Sequence, residues 1–260
     1  MKTLLLLEWM KVRKYRAFWV FLILFIVAIV GINGALYSIQ SHLQTAAHGQ
    51  AHLDLFDPPQ LWSTTAWASG FSVLLLGLLL IVLITNEYTY RTRRQQVIDG
   101  LSRKQFIMGK WLVAACFLLF SWLVYIAVTL VLGTTASAGG DLMEGFGYAG
   151  YFLLKVALSL SVAFMFAIWL KRAGLAIALY LVYVLLLESI IGYLLNLMIA
   201  GMGFFLPLAA GGKLVSNPVS RVMPEMDHSG ISAISLVITC LIYLIVFIYL
   251  SLLYIRRADL

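Results

Sequence analysis

Few side chains in this sequence are placed to do chemistry. His42, His48 and His52 stand close to Asp54 and Asp57. His48 and His52 are four apart, a spacing that sets two imidazoles on one helix face, as in many metal sites. No cysteine or further tight ligand joins them. They are a weak candidate metal pair beside the plainer reading of a polar loop, so no metal site is expected. Glu188 lies well inside a long apolar run. An acidic group at the centre of a bilayer costs about 3 kcal/mol on insertion scales, which makes it a functional candidate. Lys155 enters a neighbouring apolar run and can reach a similar depth. Two readings stand open: a structural Glu188–Lys155 pair, or a polar contact at a substrate or subunit interface.

The motifs that would make the chain an enzyme fail. A phosphate-cradling loop needs G-x-x-x-x-G-K-[ST]. "PLAAGGKL" has Gly212 and Lys213, but Pro207 replaces the first glycine and Leu214 the hydroxyl. "KQFIMGKW" has Lys104 and Trp111 at the same positions. "DGLSR" (Asp99–Arg103) lacks the further aspartates that a metal-dependent phosphotransferase needs. Neither H-E-x-x-H nor G-x-S-x-G occurs.

The elements that carry these residues are membrane helices. The chain of 260 residues is 63% hydrophobic and 11% charged, with a mean hydropathy of +0.98. Soluble domains carry about 25% charge. A span needs roughly 20 apolar residues, and six runs qualify, about 17–37, 67–85, 111–133, 149–170, 174–199 and 231–255. The first follows basic residues as a signal peptide does, but it is span-length and has Asn33 where cleavage needs a small residue, so an uncleaved span is expected. Cys116 and Cys240 both sit inside apolar runs, in opposite halves of the bilayer, and no disulfide is expected.

The net charge of +7 follows topology rather than nucleic acid. Fifteen of the 18 Lys and Arg residues fall at one side, in 2–16, 91–110, 171–172 and 256–257. Lys155, Lys213 and Arg221 fall on the other, with six acidic residues. The positive-inside rule then places both termini and segment 86–110 in the cytoplasm. We therefore expect an all-α integral membrane protein, one transmembrane domain over 1–260 with six spans. Residues 1–16 form an amphipathic interfacial helix, with Leu5, Trp9 and Val12 on one face and Glu8, Lys11 and Lys14 set off it. Residues 200–230 mix apolar residues with Pro207, Pro218 and Pro224, as a broken, re-entrant-like segment between spans five and six does.

Segment 86–110, "NEYTYRTRRQQVIDGLSRKQFIMGK", holds six basic residues between two spans. Glu87 and Arg91 make a favourable i,i+4 pair on a helix continuing span two. Asp99-Gly100 signals a turn. Ser102 and Gln105 fit a capping box that starts a new helix. Arg103 and Lys104 then occupy its first turn, where the helix dipole disfavours cations by a few tenths of a kcal/mol. Anionic headgroups or an acidic partner surface would account for them.

This segment resembles the loop after the second span in permeases of type-2 ABC exporters. Glu87, Thr92, Arg94, Gly100, Ser102, Arg103, Gly109 and Lys110 match the pattern, and Arg91 stands where the family often has glycine. The resemblance extends to the N-terminal "EWMKVRK", the six-span layout and the broken outer segment. It implies a dimer of permeases, identical or related, in a bacterial inner membrane, each docked on a separate ATPase subunit that binds ATP and Mg. The docking surface would be Glu8, Trp9, Lys11 and Lys14 with Glu87, Arg91, Thr92, Arg94, Gly100, Ser102, Arg103, Lys104 and Lys110. No cofactor is implied in this chain. The rival readings are a membrane-embedded lipid-modifying enzyme and a non-transporting scaffold or sensor subunit.

Overall fold

The computed structural model describes residues 2–46, 55–90, 102–136, 141–215, 217–218 and 231–257, and these are all-helical, without strands. The helices are α1 (Lys2–Val12), α2 (Arg16–Ala46), α3 (Gln60–Ser69), α4 (Val73–Thr89), α5 (Arg103–Ala136), α6 (Gly147–Leu170), α7 (Ala173–Val182), α8 (Glu188–Met198), α9 (Pro207–Leu214) and α10 (Ala233–Arg257). A π-helical turn, Tyr183–Leu187, joins α7 to α8. A 3₁₀ turn, Met202–Phe205, precedes α9.

Helices dominate because a bilayer core offers backbone amides no water, so each must bond within its own segment. Among the described residues, five helical stretches are long and apolar enough to cross a membrane: Arg16–Thr45, Gln105–Thr135, Gly147–Leu170, Ala173–Met198 and Ala233–Tyr254. The pair α3–α4 passes the same test only when its two helices are taken together, which brings the number to six, and it is bent by 41° at its break. Here the structure corrects the expected continuous span over 67–85. The helix begins earlier, at Gln60, and is interrupted at Gly70–Ser72. Hydropathy misses the early start because Ser63, Thr64 and Thr65 read as polar. Thr65 satisfies its hydroxyl on the Leu61 carbonyl (2.8 Å) and on Thr129 of α5 (3.0 Å), so the stretch can be buried.

Helix α6 is the central strut, with 61% of its most apolar window buried against 17–22% for the other unbroken spans. Aromatic residues key its neighbours to it. Trp111 of α5 stacks on Phe164 (4.3 Å) and donates to Ser251 of α10 (3.0 Å). Trp62 of α3, fully buried, donates to the Leu142 carbonyl (2.7 Å), and its own carbonyl accepts from Tyr125 (2.8 Å). Indole and phenol groups of this kind are buried only where the polar end finds a partner.

Candidate functional site

At the basic end of the bundle four ionisable side chains from three separate segments meet. Glu8 and Lys11 come from α1, Glu87 from the last turn of α4, and Lys110 from the second turn of α5. Lys11 donates to Glu8 (2.8 Å) and to Glu87 (2.9 Å). Lys110 donates to Glu87 (2.6 Å) and to the other carboxylate oxygen of Glu8. Lys110 is 3% exposed, Glu87 7% and Glu8 8%. Among the described residues the ring brings together two carboxylates and two ammoniums. Burial opposes the charged form of Glu8, yet Lys110 and Lys11 outweigh it and hold the carboxyl below its usual 4.5. Burial likewise opposes charge on Lys11, and Glu87 and Glu8 overrule it, raising that amine above its usual 10.5. Buried pairs of this sort contribute little net stability over an apolar core, but losing one member is expensive. What the ring contributes is registration of α1, α4 and α5.

The geometry revises the reading of α1. Glu8 was expected on the polar side, away from Leu5, Trp9 and Val12. It is instead buried, together with Val12, while Leu5 and Trp9 are 43% and 45% exposed. The cause is the partner charges on α4 and α5, which no local pattern reveals. Glu8, Glu87 and Lys110 are buried struts between α1, α4 and α5. Glu87 is held by Lys11 and Lys110; its expected partner Arg91, with Thr92, Arg94 and Gly100, lies outside the described residues. The capping box is formed in both directions. Ser102 donates its amide to the Gln105 side chain (2.9 Å), and the Gln105 amide donates to the Ser102 hydroxyl (3.2 Å). Helix α5 starts at Arg103, so Arg103 and Lys104 stand in its first turn. Lys14 is exposed in the connection from α1 to α2.

A second polar assembly lies at the other end of α4. Glu188 accepts the amides of Leu208 (2.6 Å) and Ala209 (2.7 Å). It serves as the N-terminal cap of α9. Leu206 at the cap position has no side-chain oxygen, and Pro207 in the first turn has no amide proton, so a carboxylate from α8 satisfies the next two donors and faces the positive end of the dipole. The Glu188–Lys155 pair is not formed. The Lys155 ammonium instead lies over Gly70, at the carbonyl end of α3, where a Cβ would collide with it. A helix C-terminus favours a cation. On the far side of the same break, Asn33 of α2 donates to Ser69 (3.0 Å).

Comparison with known families decides what the scaffold is. A family model described as ABC-2 family transporter protein matches residues 4–187. The chain belongs to the ABC-2 transporter family. Among curated proteins and among solved structures, none matches. This ABC-2 permease is a membrane subunit of an ABC transporter and is not itself the ATPase; such permeases generally work with ABC ATPase subunits. The matched stretch contains all four residues of the charged ring and stops one residue before Glu188.

The permease's ring was hidden from sequence reasoning as a unit, although each member was singled out alone. One signal could have found it: Glu8 sits inside an apolar turn, and Glu87 and Lys110 flank spans at the same membrane end. His48 and His52 lie outside the described residues. Among the described residues no group of three or more His, Cys, Asp or Glu side chains could hold a metal ion. Both cysteines are free, Cys116 exposed and Cys240 buried.

Proposed function

We propose that this permease is the translocating subunit of an ATP-driven exporter. A separate ATPase docks at the basic, cytoplasmic end, on the elbow between α4 and α5 and the exposed side of α1. The observation that carries this reading is the buried ring Glu8–Lys11–Glu87–Lys110. It joins the three segments that a docked subunit would press on, so a push on one moves all three as a body. The cap at Ser102–Gln105 stiffens the start of α5 in the same place. ATP and Mg belong to the partner, and a second permease, identical or related, completes the pathway.

Affinity purification of the tagged chain from its native membrane tests this. An ABC ATPase subunit co-purifies. Arg103→Glu, which reverses charge at the elbow, lowers its recovery at least tenfold, whereas Arg172→Gln at the same membrane end does not. Recovery undiminished by Arg103→Glu refutes docking at the elbow, and the absence of any ABC ATPase refutes the exporter reading.

A further inference from the structure

A groove of about 280 Å³ runs between α1, the start of α2 and the early turns of α5. Phe18 and Phe117 line its depth, both buried, with rings stacked 6.2 Å apart. Trp9, Trp19, Leu112 and Cys116 line it further out. Trp9 meets Trp19 edge to face (6.4 Å) and Phe18 likewise (6.3 Å), so the rings brace one another. The Trp19 indole donates to the Arg13 carbonyl (3.0 Å), which fixes its ring across the turn between α1 and α2. That turn and the first residue of α2 carry Arg13, Lys14 and Arg16, all exposed, and among the described residues none of them pairs with a carboxylate. Among the described residues the one acid bordering the groove is Glu8, and Lys11 and Lys110 already pair with it.

We propose that this groove holds an acyl chain of one anionic phospholipid, whose phosphate rests on Arg13, Lys14 and Arg16. An apolar partner helix would account for the slot and leave three cations unused. Diffuse attraction to a charged membrane would account for the cations and leave the slot unused. An anionic lipid uses both, with tryptophan at the level where the polar headgroups begin. The lipid would wedge between α1 and α5, against the helix that supplies Glu8 and Lys11 to the ring. Lipid occupancy therefore bears on how firmly α1 is seated. This inference needs only that the basic end lies at a membrane surface and does not depend on ATPase docking.

Native mass spectrometry of the full-length chain, released from membranes of equal phosphatidylglycerol and phosphatidylethanolamine, tests it. One phosphatidylglycerol is retained per chain. Each of Arg13→Gln, Lys14→Gln and Arg16→Gln lowers the preference for the anionic lipid about fivefold, at about 1 kcal/mol per basic residue, and the triple variant about a hundredfold. Cys116→Trp fills the groove from an exposed position and removes retention with the rim intact; Leu112→Phe does the same from the neighbouring turn should Cys116→Trp lower the thermal midpoint. Retention unchanged by groove filling overturns the proposal, because the lipid is then held by surface charge alone. A preference unchanged in the triple variant overturns it too. A shift in oligomeric state on groove filling, with lipid retention unchanged, assigns the groove to a second copy.

Discussion

Lys110→Met is the most demanding test of the charged ring. Lys110 is 3% exposed and bonds both Glu8 and Glu87. Methionine keeps the length of the stem and its packing on Phe106, over whose ring the ammonium lies at 5.5 Å. What is lost is the charge. Two buried carboxylates then lose an ammonium that contacts both, while Lys11, whose side chain is 33% exposed, still donates to each. Breaking a buried pair by removing one partner costs about 3–5 kcal/mol, because a charge is left uncompensated. At about 2–4 °C per kcal/mol for a chain of this size, the thermal midpoint in detergent falls by about 10 °C. The companion Lys110→Met/Glu87→Gln restores neutrality and leaves Glu8 paired with Lys11. Its cost is therefore smaller than the sum of the two single costs, by about 2 kcal/mol, the non-additivity expected of residues in one network. Midpoints measured for the wild type, both single variants and the double variant close the cycle. Additive costs would sink the argument, for they would mean that Lys110 and Glu87 do not depend on each other.

The remaining predictions concern pH and the Glu188 cap. Glu8 titrates below its usual 4.5 when folded, so its contribution is present above that value and is lost as pH falls through the lowered one. Lys11 titrates above its usual 10.5, so its contribution is present below that value and is lost as pH rises through the raised one. Protection of α1 amides in hydrogen exchange is therefore flat between about pH 5 and 10 and drops outside that window; a midpoint near neutrality would show that other groups govern the seating of α1. For the cap on α9, Glu188→Ala strips two amides of their acceptor and costs about 2–5 kcal/mol, whereas Glu188→Gln still accepts both and loses only charge assistance, about 1 kcal/mol. Thermal midpoints separate the two, and equal losses would refute capping as the role of this carboxylate.

Much of this architecture is legible in the sequence, because a bilayer leaves few options. Apolar runs of span length must be helices, and Ser102 with Gln105 announces the start of α5 through a rule that acts over three residues. What escapes is what depends on contact across the bundle. Glu8 pairs with Lys110 across 102 positions, and nothing in α1 alone says that its acid turns inward. Glu188 has the same character. An intramembrane carboxylate was recognisable as unusual, but its partners are backbone amides of α9, which carry no residue type to read. The missing local cap at Leu206-Pro207 was the one visible hint. The break in the second span is harder still. Gly70 and Ser72 interrupt the apolar run only mildly, and the bend becomes a feature because Lys155 of α6 lies against it.

The two polar assemblies share α4, and this shapes how the permease can move. Glu87 stands in its last turn and Ser72 at its start, so a 17-residue helix of about 25 Å separates the charged ring from the break beside Lys155. Between them α4 is apolar, buried along much of its length against α6, and continuously hydrogen-bonded. Such a rod does not absorb a displacement along its length. A shift of Glu87 would therefore reach the break, where α3 and α4 meet at 41°. There it would act on Lys155, whose backbone packs on Gly211 of α9, and so on the helix that Glu188 caps. On the exporter reading, ring and break are the two ends of one lever. Loosening the ring with Lys110→Met would then uncouple the ends while leaving the Glu188 assembly intact.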